Sequence, residues 1–343
     1  MKAFLVFLLF VSIVWGLLFF VKRKDNTDIL FLDKYHTDIM KGYAILGVLI
    51  GHIGQYSGVN GIEFPAGVGV SIFLILSGYG LAVSTKKSGL KGYWGKRALR
   101  VLLPYLLAQA VVYLVTMPKV SFVDVLLDYT LIMPRHEFGW YLRYILVCYI
   151  IYFFVFLLIK KVKYQLIALA SCFAVWFIIR STVLIDPTPF LQARQMIAFP
   201  IGVLASFAKM GGEKKLWLWS IISILSGIAV YGLSHTGVFN IETMPLIVYN
   251  LISLFTVVPS ACGLIILVYL VRLLQNKGLV LLSAVTYEIY IVHGYFMHYI
   301  SHDGSILNLL IFIVYVSAGT LLLHFSVRWI NVIIRKMGDR KRA

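Results

Sequence analysis

The sequence predicts an all-α, polytopic membrane protein. Of 343 residues, 61% are hydrophobic and 13% charged, and the mean hydropathy is +0.91. Apolar runs of bilayer length recur along the whole chain, and basic residues gather in every second loop. A soluble domain of this size does not combine those features, whereas stacked transmembrane helices require them.

The runs read as spans are 3–21, 39–56, 66–83, 100–116, 140–159, 165–180, 195–208, 217–233, 246–270, 279–299 and 306–330. Only Lys2 precedes the first run, Lys22-Arg23-Lys24 follows it, and no small-x-small cleavage site is present. It therefore reads as an uncleaved anchor over 1–24, separate from a ten-helix body over 35–334 and a basic tail over 335–343. The run 195–208 is short for a bilayer, so neighbouring residues extend it, or it is tilted or re-entrant. The longest loop, 117–139, lies on the outer side. No internal repeat or soluble-domain insert is visible.

Orientation follows from the loops. Lys22 to Lys34, Lys86 to Arg100, Lys160 to Lys163, Lys209 to Lys215, Arg272 with Lys277, and the tail from Arg335 carry the positive charge. The alternate loops hold little beyond Lys119, Arg135 and Arg194, with Arg180 at a helix end. The basic loops and C-terminus are expected in the cytoplasm, and the N-terminus outside, in a plasma membrane such as a bacterial inner membrane. The net charge of +17 is thus a positive-inside pattern, which argues against a nucleic-acid partner. Cys148, Cys172 and Cys262 lie scattered in apolar segments and read as packing residues, and no histidine spacing suggests a metal site.

Five segments carry polar chemistry. Lys41 and His52 share a face of one apolar helix, since eleven steps of about 100° return almost to the start, roughly 16 Å along the axis. Ionisable groups in lipid usually face a protein interior or aqueous cavity. An imidazole can take and return a proton near neutral pH, as acyl transfer to a hydroxyl requires. Lys41 has competing roles as a snorkelling anchor or as a partner of Asp38. In the next span, Gly67, Gly69, Ser77, Gly78 and Gly80 suit close helix packing, with Ser77 also able to bond a substrate or His52. Arg97 and Arg100, followed by Pro104, are placed to grip a polyanion, although ordinary positive-inside charge would look the same. Trp140 and Tyr141 suit either an interfacial belt or an acceptor with sugar hydroxyls, and Arg143 the latter.

The fifth segment holds Tyr287, Glu288, Tyr290 and His293. His293 lies about 21 Å into its span, close to the depth of His52, so the two rings are able to line one cavity. Glu288 points about 140° away from His293, toward a different helix or a cation such as Lys41. His298, His302 and His324 read as interfacial or packing residues.

Together these segments resemble the integral membrane acyltransferase family 3, over roughly residues 35–330. That family shows Arg, ten residues, then His in its first core helix, where this chain has Lys41 and His52. Its Phe-rich Ser-Gly segment is matched by Phe73 to Gly80, and its Arg-x-x-Arg with a following proline by Arg97, Arg100 and Pro104. Its Trp-Tyr-Leu is matched by Trp140 to Leu142, and its late Tyr-x-Ile-Tyr-x-x-His by Thr286 to His293. Lys41 departs from the pattern, keeping charge but losing the planar fork of arginine. The additional first helix is a second departure.

The resemblance implies a ten-helix acyltransferase bundle that O-acylates a cell-surface or lipid-linked glycan. Its donor would be acyl-CoA, with acetyl favoured, held as substrate at the basic mouth near Arg97 and Arg100, with no cofactor bound. His52 would act as base or acyl carrier, with Glu288, Tyr287 or His293 orienting or balancing its ring. The competing class is a transporter or flippase of a small metabolite or lipid-linked sugar; the absence of an inverted repeat weighs against it. A purely structural scaffold leaves Lys41, His52 and Glu288 without a purpose.

Overall fold

The computed structural model describes residues 2–19, 30–59, 61–116, 120–182, 189–208, 211–236, 244–301 and 305–340. The loop lysines and arginine at 22–24, Lys119, Lys209, His302, Lys341 and Arg342 lie outside the described residues. The helices run in the order α1 (Lys2–Phe19), α2 (Lys34–Tyr56), α3 (Phe64–Ser88), α4 (Tyr93–Arg97), α5 (Leu103–Thr116) and α6 (Phe122–Tyr129). There follow α7 (Gly139–Leu158), α8 (Val162–Thr182), α9 (Pro189–Ala193), α10 (Ala198–Ala205), α11 (Glu213–Ser234) and α12 (Leu246–Ser253). The last are α13 (Val257–Leu270), α14 (Lys277–Ser283), α15 (Thr286–Phe296), α16 (His298–Ser301) and α17 (Ile306–Arg340). No strand occurs among the described residues.

The all-α polytopic class holds, but the spans are less regular than eleven simple crossings. Among the described residues, seven helical segments are long and apolar enough to cross a membrane, or eight if the bent pair α14–α15 is one span. The run 195–208 contains only the eight-residue α10, about 12 Å long and too short to cross. The run 279–299 breaks between α14 and α15 with a bend of 71°. The 23-residue α2 is long enough to cross, but its polar residues keep it outside the apolar set.

α3 is the centre of the bundle. In its most apolar stretch 72% of the residues are buried, against 11% for α11. Glycines make this possible, because in lipid helices associate by close backbone approach rather than by hydrophobic exclusion. A side chain at Gly69 would strike the Ala44 carbonyl of α2, and one at Gly78 the Phe199 carbonyl of α10. α11 and α17 instead turn Leu225, Ile228, Leu310 and Leu322 outward, as lipid-facing helices do. α1 packs on α14 and α17, and its Phe4 and Phe7 are buried.

Between α4 and α5 the chain makes a π-helical turn, Ala98–Leu102. Pro104 explains it: proline offers no N–H and its ring would clash with the carbonyl of Arg100 in a regular α-helix. Near this widened turn, the Val101 carbonyl accepts a 2.7 Å hydrogen bond from the Tyr287 hydroxyl.

Candidate active site

Two cavities open toward opposite ends of α2, and Tyr290 lines both. The smaller, about 270 Å³, lies at the basic end, where Lys41 and Arg100 supply cations and Ser77, Tyr141 and Tyr287 complete the wall. The larger, about 540 Å³, lies at the other end, where His52 and Trp140 meet Glu63, Glu137, Arg194 and Tyr231. Lys41 and His52, on one face of one helix, thus each look into a different cavity.

His52 is held in one tautomer by its neighbours. The ring of His293 places Nδ1 2.9 Å from the Ile289 carbonyl, which can only accept, so Nδ1 carries the proton and Nε2 is an acceptor. That Nε2 lies 3.0 Å from His52 Nδ1. His52 Nδ1–H therefore donates to His293, which leaves His52 Nε2 unprotonated on the edge of the ring away from His293. This tautomer is assigned from the hydrogen-bond chain. Phe138 lies flat over both imidazoles, with centroids 4.0 Å from His52 and 4.9 Å from His293. An unprotonated imidazole nitrogen beside a second ring that fixes its tautomer is an arrangement able to act as a base with an orienting partner.

Phe138 is itself pinned. Its N–H donates to His136 Nδ1 at 3.1 Å, and His136 Nε2–H donates to the Ile291 carbonyl at 2.7 Å. The Tyr290 hydroxyl donates to the Phe138 carbonyl at 3.2 Å. Burial pushes the pKa of His136 down to about 4, so this loop histidine is neutral and both bonds are available. Upstream, the buried Asp128 accepts from the hydroxyls of Tyr105 at 2.6 Å and Tyr113 at 2.8 Å, from Gln109, and from the Arg135 N–H at 2.8 Å. These bonds satisfy a buried carboxylate and tie the 130–138 loop to α5.

At the basic end, Arg97 and Arg100 separate. Arg100 lines the smaller cavity, whereas Arg97 lies against the rings of Tyr93 and Tyr149 at 5.6 and 5.4 Å. The π-turn between them spreads residues that an α-helix would keep on one side. Ser77 bonds the Tyr149 hydroxyl at 2.8 Å rather than His52. Lys41 also pairs with Asp38 at 2.8 Å.

The remaining expected residues divide. Trp140 joins His52 in the larger cavity while Tyr141, one position on, lines the smaller one. Arg143 donates to the Ile132 carbonyl at 3.2 Å and lines neither cavity. Glu288 is not brought to the histidine pair; its Oε1 accepts from His324 Nδ1 of α17 at 3.0 Å. The reading of the sequence missed Phe138, His136, Asp128, Glu63 and Arg194. Among the described residues, no cluster of His, Cys, Asp or Glu could hold a metal.

A family model, the acyltransferase domain, matches residues 34–325. No curated protein and no solved structure matches the chain significantly. The match begins at the first residue of α2, after the N-terminal helix, and takes in both histidines and both cavities. With a matched region covering most of the chain, this multi-pass membrane protein belongs to acyltransferase family 3.

Proposed function

We propose that this acyltransferase moves an acetyl group from cytoplasmic acetyl-CoA to a hydroxyl of a cell-surface or lipid-linked glycan. The setting is a plasma membrane, with the C-terminus and basic loops in the cytoplasm and the N-terminal anchor helix entering from outside. Acetyl-CoA is the donor substrate and no bound cofactor is required. The observation that carries the reading is the His52–His293 contact, 3.0 Å between Nδ1 and Nε2, made by a His52 ring that lines a cavity sharing Tyr290 with a cationic one.

The cationic cavity suits the donor, with Lys41 and Arg100 for its phosphates and Arg97 supporting the mouth through Tyr149. The larger cavity suits a sugar. Trp140 and Tyr231 offer flat faces to C–H groups, and Glu63 and Glu137 accept from hydroxyls. The acceptor oxygen attacks the thioester carbon while its proton passes to His52 Nε2, and the carbonyl electron pair moves onto oxygen. Collapse breaks the carbon–sulfur bond, and the thiolate takes the proton from the imidazolium to leave as the thiol. Alternatively Nε2 attacks the thioester carbon and expels the thiolate, giving an acetyl-imidazolium; the acceptor hydroxyl then attacks that carbonyl, the carbon–Nε2 bond breaks as the imidazole leaves, and the hydroxyl proton passes to the thiolate. His293 and Tyr290 are positioning residues in either route. Glu288, bonded to His324, acts by fixing α15 against α17.

Two cavities that share one lining residue, Tyr290, would also suit alternating access by a transporter, and the same experiment separates the two. Purified full-length chain in detergent is given acetyl-CoA and release of free thiol is followed. His52→Ala is expected to lower the rate roughly 10²–10⁴-fold with an unchanged elution profile. A folded His52→Ala protein that releases thiol at the wild-type rate would overturn the proposal.

A further inference from the structure

Arg194 has a place in the structure that its sequence position did not suggest. It follows the short helix α9 and its side chain enters the larger cavity, which His52 also lines. Its Nε is buried without a hydrogen-bond partner. No carboxylate lies within ion-pair distance of it among the described residues. The nearest acid that acts on it electrostatically is Glu63, alongside Tyr231 and Tyr249. Glu63 has other partners, since its Oε1 lies 3.5 Å from His235 Nε2.

The backbone that carries Arg194 is anchored. The next residue, Gln195, is fully buried and tied twice to α3: it accepts from the Ser71 hydroxyl and donates to the Gly67 carbonyl at 3.1 Å. Gly67 leaves the space in which one terminal nitrogen of Arg194 lies, 3.8 Å from where a Cβ would stand. Arg194 is partly exposed in that cavity and its guanidinium finds no ion-paired partner among the described residues, and a cation without a counter-ion inside a membrane protein is costly. Its cost is offset when an anion arrives. Acyl transfer at His52 creates one anion by itself: the oxygen of the tetrahedral intermediate, formed when the carbonyl electron pair moves onto oxygen.

We propose that Arg194 stabilises that oxyanion, facing it across the cavity from His52. This rests on the acyltransferase chemistry proposed above and adds a second catalytic residue to it. In both routes, direct attack or an acyl-imidazole, the negative charge develops on the thioester oxygen and is lost when the thiolate leaves. A fixed donor aimed at developing charge acts without reorganisation, which is why such groups contribute strongly.

Hydroxylamine tests the assignment, because it accepts the acetyl group as a hydroxamate without needing the acceptor subsite. Hydroxamate formation from acetyl-CoA is measured for wild type, Arg194→Gln, Arg194→Lys and His52→Ala in detergent, with thermal unfolding as the control for folding. Arg194→Gln is expected to lose about 10²–10³-fold in kcat with an unchanged KM for acetyl-CoA, and Arg194→Lys, which keeps the charge, to lose less. Wild-type hydroxamate formation by a folded Arg194→Gln protein would overturn the assignment and leave the acyltransferase proposal standing; Arg194 would then serve to bind an anionic acceptor. If the glutamine variant does not fold, the lysine variant decides: its ammonium lacks the planar fork of the guanidinium, so a kcat equal to wild type would overturn the assignment. A folded wild-type protein that makes no hydroxamate would overturn both proposals.

Discussion

His293 determines how His52 works. Its own proton is committed to the Ile289 carbonyl, so it can only accept from His52. His293→Phe removes that acceptor while filling similar space. The expected result is a lower kcat than wild type with the KM for acetyl-CoA unchanged, and a smaller loss than His52→Ala; an unchanged kcat would show that the tautomer is set otherwise. At this scale the sequence showed Lys41, His52 and His293, because polar groups are conspicuous in apolar helices. Arg194 stood beside Lys119 and Arg135 as one of the few charges of the outer loops, and such an arginine looks like an ordinary loop charge until the chain folds back. Phe138 gave no signal, since a phenylalanine in a membrane protein is unremarkable until two imidazoles are found beneath it.

Among the elements, the 130–138 loop is the most informative. It is fixed by Asp128 at one end and by His136 and Phe138 at the other, so it both covers the histidine pair and depends on a neutral histidine. His136 has its pKa lowered from the usual 6.5 to about 4. A lowered value means the contribution to stability is full above about pH 6.5 and is lost as the pH falls through about 4. The extra proton would occupy Nδ1, which accepts from Phe138 N–H. The nearby Asp128 opposes the shift in part but does not reverse it. Thermal unfolding in detergent across that window is therefore expected to show an acid loss in wild type that His136→Gln lacks; equal losses in both would place the acid sensitivity elsewhere. Hydropathy revealed the long helices of this bundle but not its breaks. α10 is apolar because it is buried against α3 rather than because it crosses lipid, and run length cannot tell these apart. The sequence showed only that Pro104 follows the two arginines; the π-turn before it, and the separation of Arg97 from Arg100, required the fold.

At the scale of the described molecule, the two cavities lie toward opposite ends of α2. The basic helix ends gather at one side with the smaller cavity, and carboxylates, Trp140 and His52 line the larger cavity toward the other. α17, with 35 residues, is about 52 Å long and outreaches a hydrocarbon core of about 30 Å. The family and the polytopic class were legible in the sequence because hydropathy, loop charge and five ordered motifs agree. The meeting of α2, α7, α9 and α15 at one cavity was not, because it joins segments more than two hundred residues apart. The claim that unites these parts is that donor and acceptor approach from opposite sides and react at His52. Sealed vesicles of both orientations, from cells making wild-type or His52→Ala chain, test it with radiolabelled acetyl-CoA, which does not cross the membrane. Ester-linked label is expected on membrane-associated glycan only when the basic loops face the medium, and not with His52→Ala. Equal labelling in both orientations, or labelling that survives His52→Ala, would contradict it.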